Sequence, residues 1–257
     1  MQLVPTVARY WPLANGSGRI IDKFARGIDL GTGERRAKTG AGFPLTVLAD
    51  DLIGRHILLT GRFDHSIVQL LLDRTRPGDV LLDVGANIGY VSACFLNQVR
   101  DGRAICVEPQ PGIVDLLRRN LEQFGRHEIH QVGLSDHNGE AGFHVNPTNR
   151  GNSGLRADGE IKVPIVEASG LLKSLDRLDL IKIDVEGHEL PIFRSIEGEL
   201  QRLKPRAILF EDQTGSIEIR SILKRCGYTV FGIKKTPFKT RLIENYSDSN
   251  DHLAARK

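Results

Sequence analysis

The apolar positions of this chain follow two rhythms, alternate residues in short runs and helical spacing in longer ones, and from Phe63 onward the two rhythms take turns. A helix is expected over 64–75 with Asp64 as its cap, then a strand at VLLDV (80–84), a helix over 89–99 and a strand at RAICVE (103–108). A helix over 111–124 and a strand at EIHQVGL (128–134) continue the series. AGFHVN (141–146) and IKVPIVE (161–167) break the alternation around the Gly- and Asn-rich stretch PTNRGNSGLRADG (147–159), and predict an inserted hairpin or flap. Alternation resumes with LDLIKIDV (178–185), a helix over 188–203, RAILFE (206–211) and a helix over 216–226. YTVFGIKK (228–235) and RLIEN (241–245), joined by TPFK, read as an antiparallel hairpin that closes the sheet. Strands and helices at this spacing predict an α/β domain with a mostly parallel sheet covered on both faces.

Residues 1–61 follow a different pattern and are expected to form a small extension: an amphipathic segment (Ile20, Ile21, Phe24, Ile28), a polar loop, and a hairpin within PLTVLADDLIGRHILLTG (44–61). Its expected role is to cover a pocket or to mediate homodimerisation. The domain proper is placed at 62–246, and SDSNDHLAARK (247–257) is expected to fray.

Composition changes this picture little. A formal charge of +3 from 35 basic and 32 acidic residues, with no long basic tract, points away from nucleic acid as a partner. Pro5, Arg9 and Pro12 break the first apolar run, and no later run has the length of a membrane span, so a cytoplasmic protein is expected. Cys94, Cys106 and Cys226 lack metal-ligand spacing and read as reduced structural thiols.

The chemistry is expected where the strands end, because ligands of such sheets bind beyond the carboxyl ends, at the point where strand order reverses. After the first of these strands comes DVGANIGY (83–90), with Asp83 at the strand end and Gly85 and Gly89 bracketing the turn. The second ends in Glu108 and Pro109, a carboxylate suited to a ribose diol. Nicotinamide dinucleotides and S-adenosylmethionine share that ribose. A dinucleotide fingerprint needs glycines at 87 and 90, where this chain has Asn87 and Tyr90, and the acid at 83 repels phosphate but suits the ammonium of a methionine. S-adenosylmethionine is therefore favoured, with an NAD-dependent oxidoreductase and a non-catalytic cofactor-binding scaffold as the alternatives.

DVGANIGY, VEPQP (107–111), VGLSD (132–136), IKIDVEGHE (181–189) and ILFE (208–211) together resemble the FkbM-type S-adenosylmethionine-dependent methyltransferases over about residues 62–212. The resemblance implies a class I methyltransferase (Rossmann-like) fold of seven strands, and methyl transfer to a hydroxyl of a sugar or another small natural-product or lipid acceptor, a glycan or glycolipid included. Carried over by position, the cofactor-binding candidates are Asp83, Gly85, Ala86, Asn87, Gly89, Glu108 and Pro109, with Ser135 and Asp136 at the adenine edge. His188 departs from the small residue often found there.

The run LDLIKIDVEGHEL (178–190) puts Lys182, Asp184 and Glu186 on alternate positions of a strand that otherwise reads as buried. Buried charge is costly unless paired, so a use is expected. Asp184 or Glu186 is a candidate base for the acceptor hydroxyl, Lys182 a partner that holds the carboxylates or the emerging alkoxide, and Glu211 a border of the same pocket. Bracing of the sheet by Lys182 is the alternative. No spacing demands a metal, but Asp184 with Glu211 and Asp212 offers the oxygen ligands magnesium prefers. His144 and His188 are further candidate bases, and Asn152 and Ser153 candidate contacts to a polyol.

Overall fold

A computed structural model describes residues 15, 16, 18, 21, 23, 27–244 and 249–256. The amphipathic segment expected around Ile20 and Phe24 lies largely outside the described residues.

The extension begins with a hairpin of β1 (Glu34–Lys38) and β2 (Pro44–Leu48), paired Glu34 to Leu48 and Lys38 to Pro44. The hairpin expected after Pro44 is instead one strand followed by a helix, α1 (Leu52–Thr60). Local chemistry dictates this: Asp51 accepts from the Ile53 amide at the N-cap, and Gly61, at φ 75°, closes the other end by donating to the Ile57 carbonyl. Ile53 and Ile57, one turn apart, face inward. Next come α2 (His65–Leu72), β3 (Val80–Val84), α3 (Tyr90–Gln98), β4 (Arg103–Val107) and α4 (Ile113–Glu122). Asp64 does not cap α2 through its side chain, because its carboxylate is paired with Lys235.

EIHQVGL breaks in two, as β5 (His127–His130) and β6 (Gly133–Ser135). β6 joins a second sheet with β7 (Gly139–His144), β8 (Gly154–Leu155) and β9 (Ile161–Glu167) in the order β6-β9-β7-β8, with a single turn of 3-10 helix at Arg150–Asn152 leading into β8. The expected flap is the far side of that sheet. The chain continues through α5 (Ala168–Lys173), β10 (Leu180–Ile183), α6 (Glu189–Leu203), β11 (Ala207–Glu211), α7 (Ile217–Arg225), β12 (Thr229–Lys235), β13 (Thr240–Ile243) and β14 (Asp251–Ala255).

Among the described residues the main sheet has eight strands, ordered β13-β12-β14-β11-β10-β3-β4-β5. β11, β10, β3, β4 and β5 run parallel, and β14 is antiparallel to both β11 and β12. The sheet has eight described strands where seven were expected. The hairpin of β12 and β13 closes one edge as expected, but the strand that joins it to the sheet is β14, from the segment expected to fray. Leu253 and Ala254 are fully buried, and small alanines suit a strand squeezed between two neighbours and covered by helices.

Alternate residues of each strand feed opposite faces. Leu81 packs with α2, α3 and α4 and with Leu45, Val47 and Ile57 of the extension. Leu82 and Val84 pack instead with Leu172, Phe193, Ile196 and Ile222 from α5, α6 and α7. Asn120 on α4, buried, ties the extension to the β3 turn: it exchanges two hydrogen bonds with Thr46 (2.8 and 2.9 Å) and donates to the Ile88 carbonyl (2.8 Å). No helix among the described residues is long and apolar enough to cross a membrane.

Candidate active site

Strand order reverses between β3 and β10, since the chain runs outward from β3 through β4 to β5 and then returns to β10 and β11. A cleft of about 260 Å³ opens at the carboxyl ends of these strands. Gly85, Ala86, Asn87, Glu108, Pro109, Lys182, Asp184, Glu186 and Glu211 all line it, so most of the residues picked from the sequence are brought together.

The β3 side is built by backbone. Asn87 sits in the left-handed region at φ 49°, and its amide donates to Glu108 Oε2 (2.9 Å), while the Gln110 amide donates to Glu108 Oε1 (2.9 Å). Glu108 is thereby fixed with acceptor capacity left on each oxygen. Burial pushes its carboxyl up, against the lowering effect of the two amides. Gly85 has φ 73°, and a Cβ there would lie 1.9 Å from the Asp184 carbonyl oxygen. The glycine is needed for the turn to touch β10, whether or not a ligand is bound.

Other candidates stand back from the cleft. Asp83 lies beneath it, fully buried, accepting from Ser92 Oγ (2.7 Å), with Oδ1 left to Lys182 Nζ at 3.6 Å. A Cβ at Gly89 would meet Leu117 at 2.7 Å, so this glycine serves the packing of α3 on α4. Ser135 is buried against His188 (3.0 Å), Asp136 holds His137 (2.7 Å), and neither lines the cleft; the neighbouring Val132, Gly133 and Leu134 do. His188 thus pins β6 to the start of α6. His144 binds Glu160 (2.8 Å) on the rim of the second sheet. Ser153 lines the cleft, with Oγ accepting from the Asn146 amide (3.0 Å), whereas Asn152 is exposed and does not line it.

Lys182 sits at the centre. Its ammonium donates to the Gly85 carbonyl (2.7 Å) and lies 3.4 Å from Asp184 Oδ2 and 3.6 Å from Asp83 Oδ1. Burial alone would lower its pKa, but Asp184, Asp83 and Glu108 together outweigh that and hold it above the usual value. The charged strand is therefore a bridge, with a buried cation joining the β3 turn to an acid at the cleft wall.

Beyond it Asp184, Glu186 and Glu211 converge, each offering an oxygen within 4.8 Å of the others. Desolvation, then the charge of Asp184, pushes Glu186 up to about 7 and Glu211 up to about 8. Asp212, expected beside them, is turned away to accept from the Thr214 and Ser216 amides (3.0 and 2.7 Å) ahead of α7.

Two side chains that the sequence reading did not single out complete the site. Glu189, buried in the first turn of α6, accepts from the Val185 amide (3.1 Å) and the Gly187 amide (3.1 Å), and so holds the turn in which Glu186 takes φ 56°. An acid three residues after a Glu-Gly turn, opening an apolar helical run, is a legible signal for it. Asp251 lines the cleft opposite Glu211 on β14; Lys235 bridges it (3.5 Å) to Asp64 (3.1 Å).

With this geometry in place, the comparisons with known proteins are specific. The model of the methyltransferase FkbM domain matches residues 83–230. The chain is similar to the hexuronic acid methyltransferase AglP of Haloferax volcanii, 30% identical over 144 residues that cover 54% of this chain and 59% of that protein. It is also similar to the 2-O-methyltransferase NoeI of Sinorhizobium fredii, 27% identical over 183 residues, 61% of this chain and 73% of that protein. Among solved structures, a TehB-like SAM-dependent methyltransferase from Corynebacterium glutamicum aligns over 78% of this chain and 91% of its own, at 13% identity and a TM-score of 0.44.

Proposed function

Because this chain belongs to the methyltransferase FkbM domain family, we propose that it is an S-adenosylmethionine-dependent methyltransferase acting on a hydroxyl oxygen of a sugar or other small acceptor. The observation that carries the reading is the pairing, across one cleft, of a fixed carboxylate at the β4 end with a wall of carboxylates at the β10 and β11 ends. AglP, a hexuronic acid methyltransferase, and NoeI, a 2-O-methyltransferase, support a hydroxyl oxygen as the acceptor, and AglP favours a sugar.

The residues fit the cofactor. Glu108, already oriented by two amides, keeps lone pairs for a ribose diol, and the turn at Gly85 to Asn87 presents backbone to the same space. Bound there, S-adenosylmethionine supplies a methyl group on a sulfonium, open to in-line attack by oxygen. The chain's own task is to hold the acceptor hydroxyl in line and to take its proton. Asp184 stands at the cleft wall with its side chain 46% exposed, held by the Lys182 ammonium at 3.4 Å. Glu186 and Glu211 beside it have values near neutrality, the range in which a carboxylate both accepts a proton and releases it to water. Asp184 is the base by position, and its neighbours carry the proton onward.

Calorimetry with S-adenosylhomocysteine and with NAD tests the reading. Heat is expected with the first and none with the second, and Glu108→Ala should weaken binding by about 1.5–3 kcal/mol, the scale of hydrogen bonds to a charged group. Heat with NAD alone would reject it.

A second reading concerns the three converging carboxylates, whose oxygens lie close enough to share one hard cation such as magnesium. Such an ion would polarise the acceptor hydroxyl. Activity that chelator removes and magnesium restores supports this reading, and activity indifferent to chelator rejects it.

A further inference from the structure

Part of the cleft wall is formed by the flap leading into β8 and by the start of α1. Gly154 of the flap lies against the Val185 carbonyl and Glu186, so the flap touches the acidic turn at that point. Gly151 lies against Ile53 of α1. Arg150 stands at the α1 end of this flap and lines the cleft. The flap is held there by backbone: the Arg150 amide donates to Asp51 Oδ1, and the Leu52 amide donates to the Thr148 carbonyl (3.2 Å).

The guanidinium of Arg150 is only loosely paired. Its Nη1 is buried without a hydrogen bond, and its nearest ion-pair contact is Asp50 Oδ2, 3.8 Å from Nη2. Two carboxylates stand beside it, each already holding backbone amides. Asp51 accepts from the Arg150 and Ile53 amides, and Asp50 accepts from the Gly33 amide (3.1 Å). A guanidinium presents planar, paired donors that match an oxyanion, and leaving one of its buried N–H groups unsatisfied is costly. The cleft is thus lined both by acids at the β10 and β11 ends and by a guanidinium, loosely paired with Asp50, where the flap meets α1.

We propose that Arg150 is a specificity-determining residue that binds an anionic group of the acceptor, making the acceptor a hydroxyl-bearing sugar with a carboxylate or a phosphate. This rests on the methyltransferase reading given above. The anion serves to orient the sugar: with it docked on Arg150, the ring's hydroxyls are left for the acids, while the Asp184 carboxylate disfavours an anion placed among them.

The test is calorimetry on the full chain saturated with S-adenosylhomocysteine, using glucuronate, glucose 1-phosphate and methyl glucoside as probes. Binding of one or both anionic probes is expected, with methyl glucoside at least about tenfold weaker. Which anion binds tells a uronic acid from a sugar phosphate. Arg150→Gln should weaken the anion about 10- to 100-fold while leaving S-adenosylhomocysteine affinity and melting temperature in place. Arg150→Lys, which keeps the charge and loses the paired donors, should fall between. Equal binding of the neutral probe, an unchanged Arg150→Gln affinity, or no binding of either anion at 20 mM, about the weakest affinity such titrations resolve, would overturn the proposal. Failure of S-adenosylhomocysteine to bind would instead remove the reading beneath it.

Discussion

The two halves of the cleft are built on opposite plans. On the β3 and β4 side a few neighbouring residues fix one another through backbone: Asn87 and Gln110 amides hold Glu108, and the Gly85 turn lies directly on β10. On the β10 and β11 side the groups come from distant parts of the chain, with Asp184, Glu211, Asp251 and Asp64 meeting through ion pairs and mutual repulsion. A half that grips a constant ligand can be rigid and local. A half that handles a proton and a variable acceptor needs charges whose state responds to what is bound. Lys182 belongs to both, since it joins the Gly85 carbonyl to Asp184.

The sharpest way to break this contrast is at Gly85. A Cβ there meets the Asp184 carbonyl oxygen at 1.9 Å, and the residue's φ of 73° disfavours any other side chain. Gly85→Val should therefore destabilise the whole protein, by roughly 3–5 kcal/mol from backbone strain and overpacking together. Chemical denaturation measures it. A variant that kept its stability and lost only S-adenosylhomocysteine binding would show that the turn serves the ligand alone.

Asp184→Asn probes the other half. Turnover should fall about 100-fold or more, the scale of general-base catalysis. Affinity for S-adenosylhomocysteine should stay within about tenfold. Stability should change little, because Lys182 keeps the Gly85 carbonyl and Asp83, and Asp184 is half exposed. A large drop in melting temperature with normal turnover would make Asp184 a brace.

The same contrast explains what was legible in the sequence. DVGANIGY and VEPQP lie in the local half, where spacing along the chain is spacing in space, and Gly85, Asn87 and Glu108 could be picked out directly. LDLIKIDVEGHEL showed its charges because they interrupt an apolar strand. Asp251 was hidden because its strand, DHLAA, is short and carries alanines of poor strand propensity among polar neighbours, so tertiary packing alone makes it a strand. Asp212 was misplaced because a strand-end acid followed by Thr and Ser is as good a turn cap as a ligand, and the cap prevailed. α1 was readable from Asp51 and Gly61, but the β-branched and leucine-rich run between them also suited a strand.

The finest discrimination comes from Glu211. Desolvation first, then Asp184 and Glu186, raises it from the ordinary 4.5 to about 8, and Glu186 rises likewise to about 7. Between those values and 4.5 the folded protein holds protons that the unfolded chain has released, so stability falls as pH rises. The contribution is fully present below about 4.5 and is lost as pH passes through about 7 and then 8. Glu211→Gln removes one of these protons from the balance and relieves its neighbour of a like charge. In chelator-treated buffer, urea denaturation across this range should give a shallower loss of stability for the variant than for the parent, with the gap opening on the alkaline side. Both side chains are only partly buried, so screening keeps the gap small. Magnesium should reverse the parent's trend if the three carboxylates bind it, since an ion holding the ionised forms stabilises more as pH rises. Parallel curves for parent and variant in the absence of metal would mean that the acids do not repel one another in the folded protein, and the two halves of the cleft would then differ in position but not in plan.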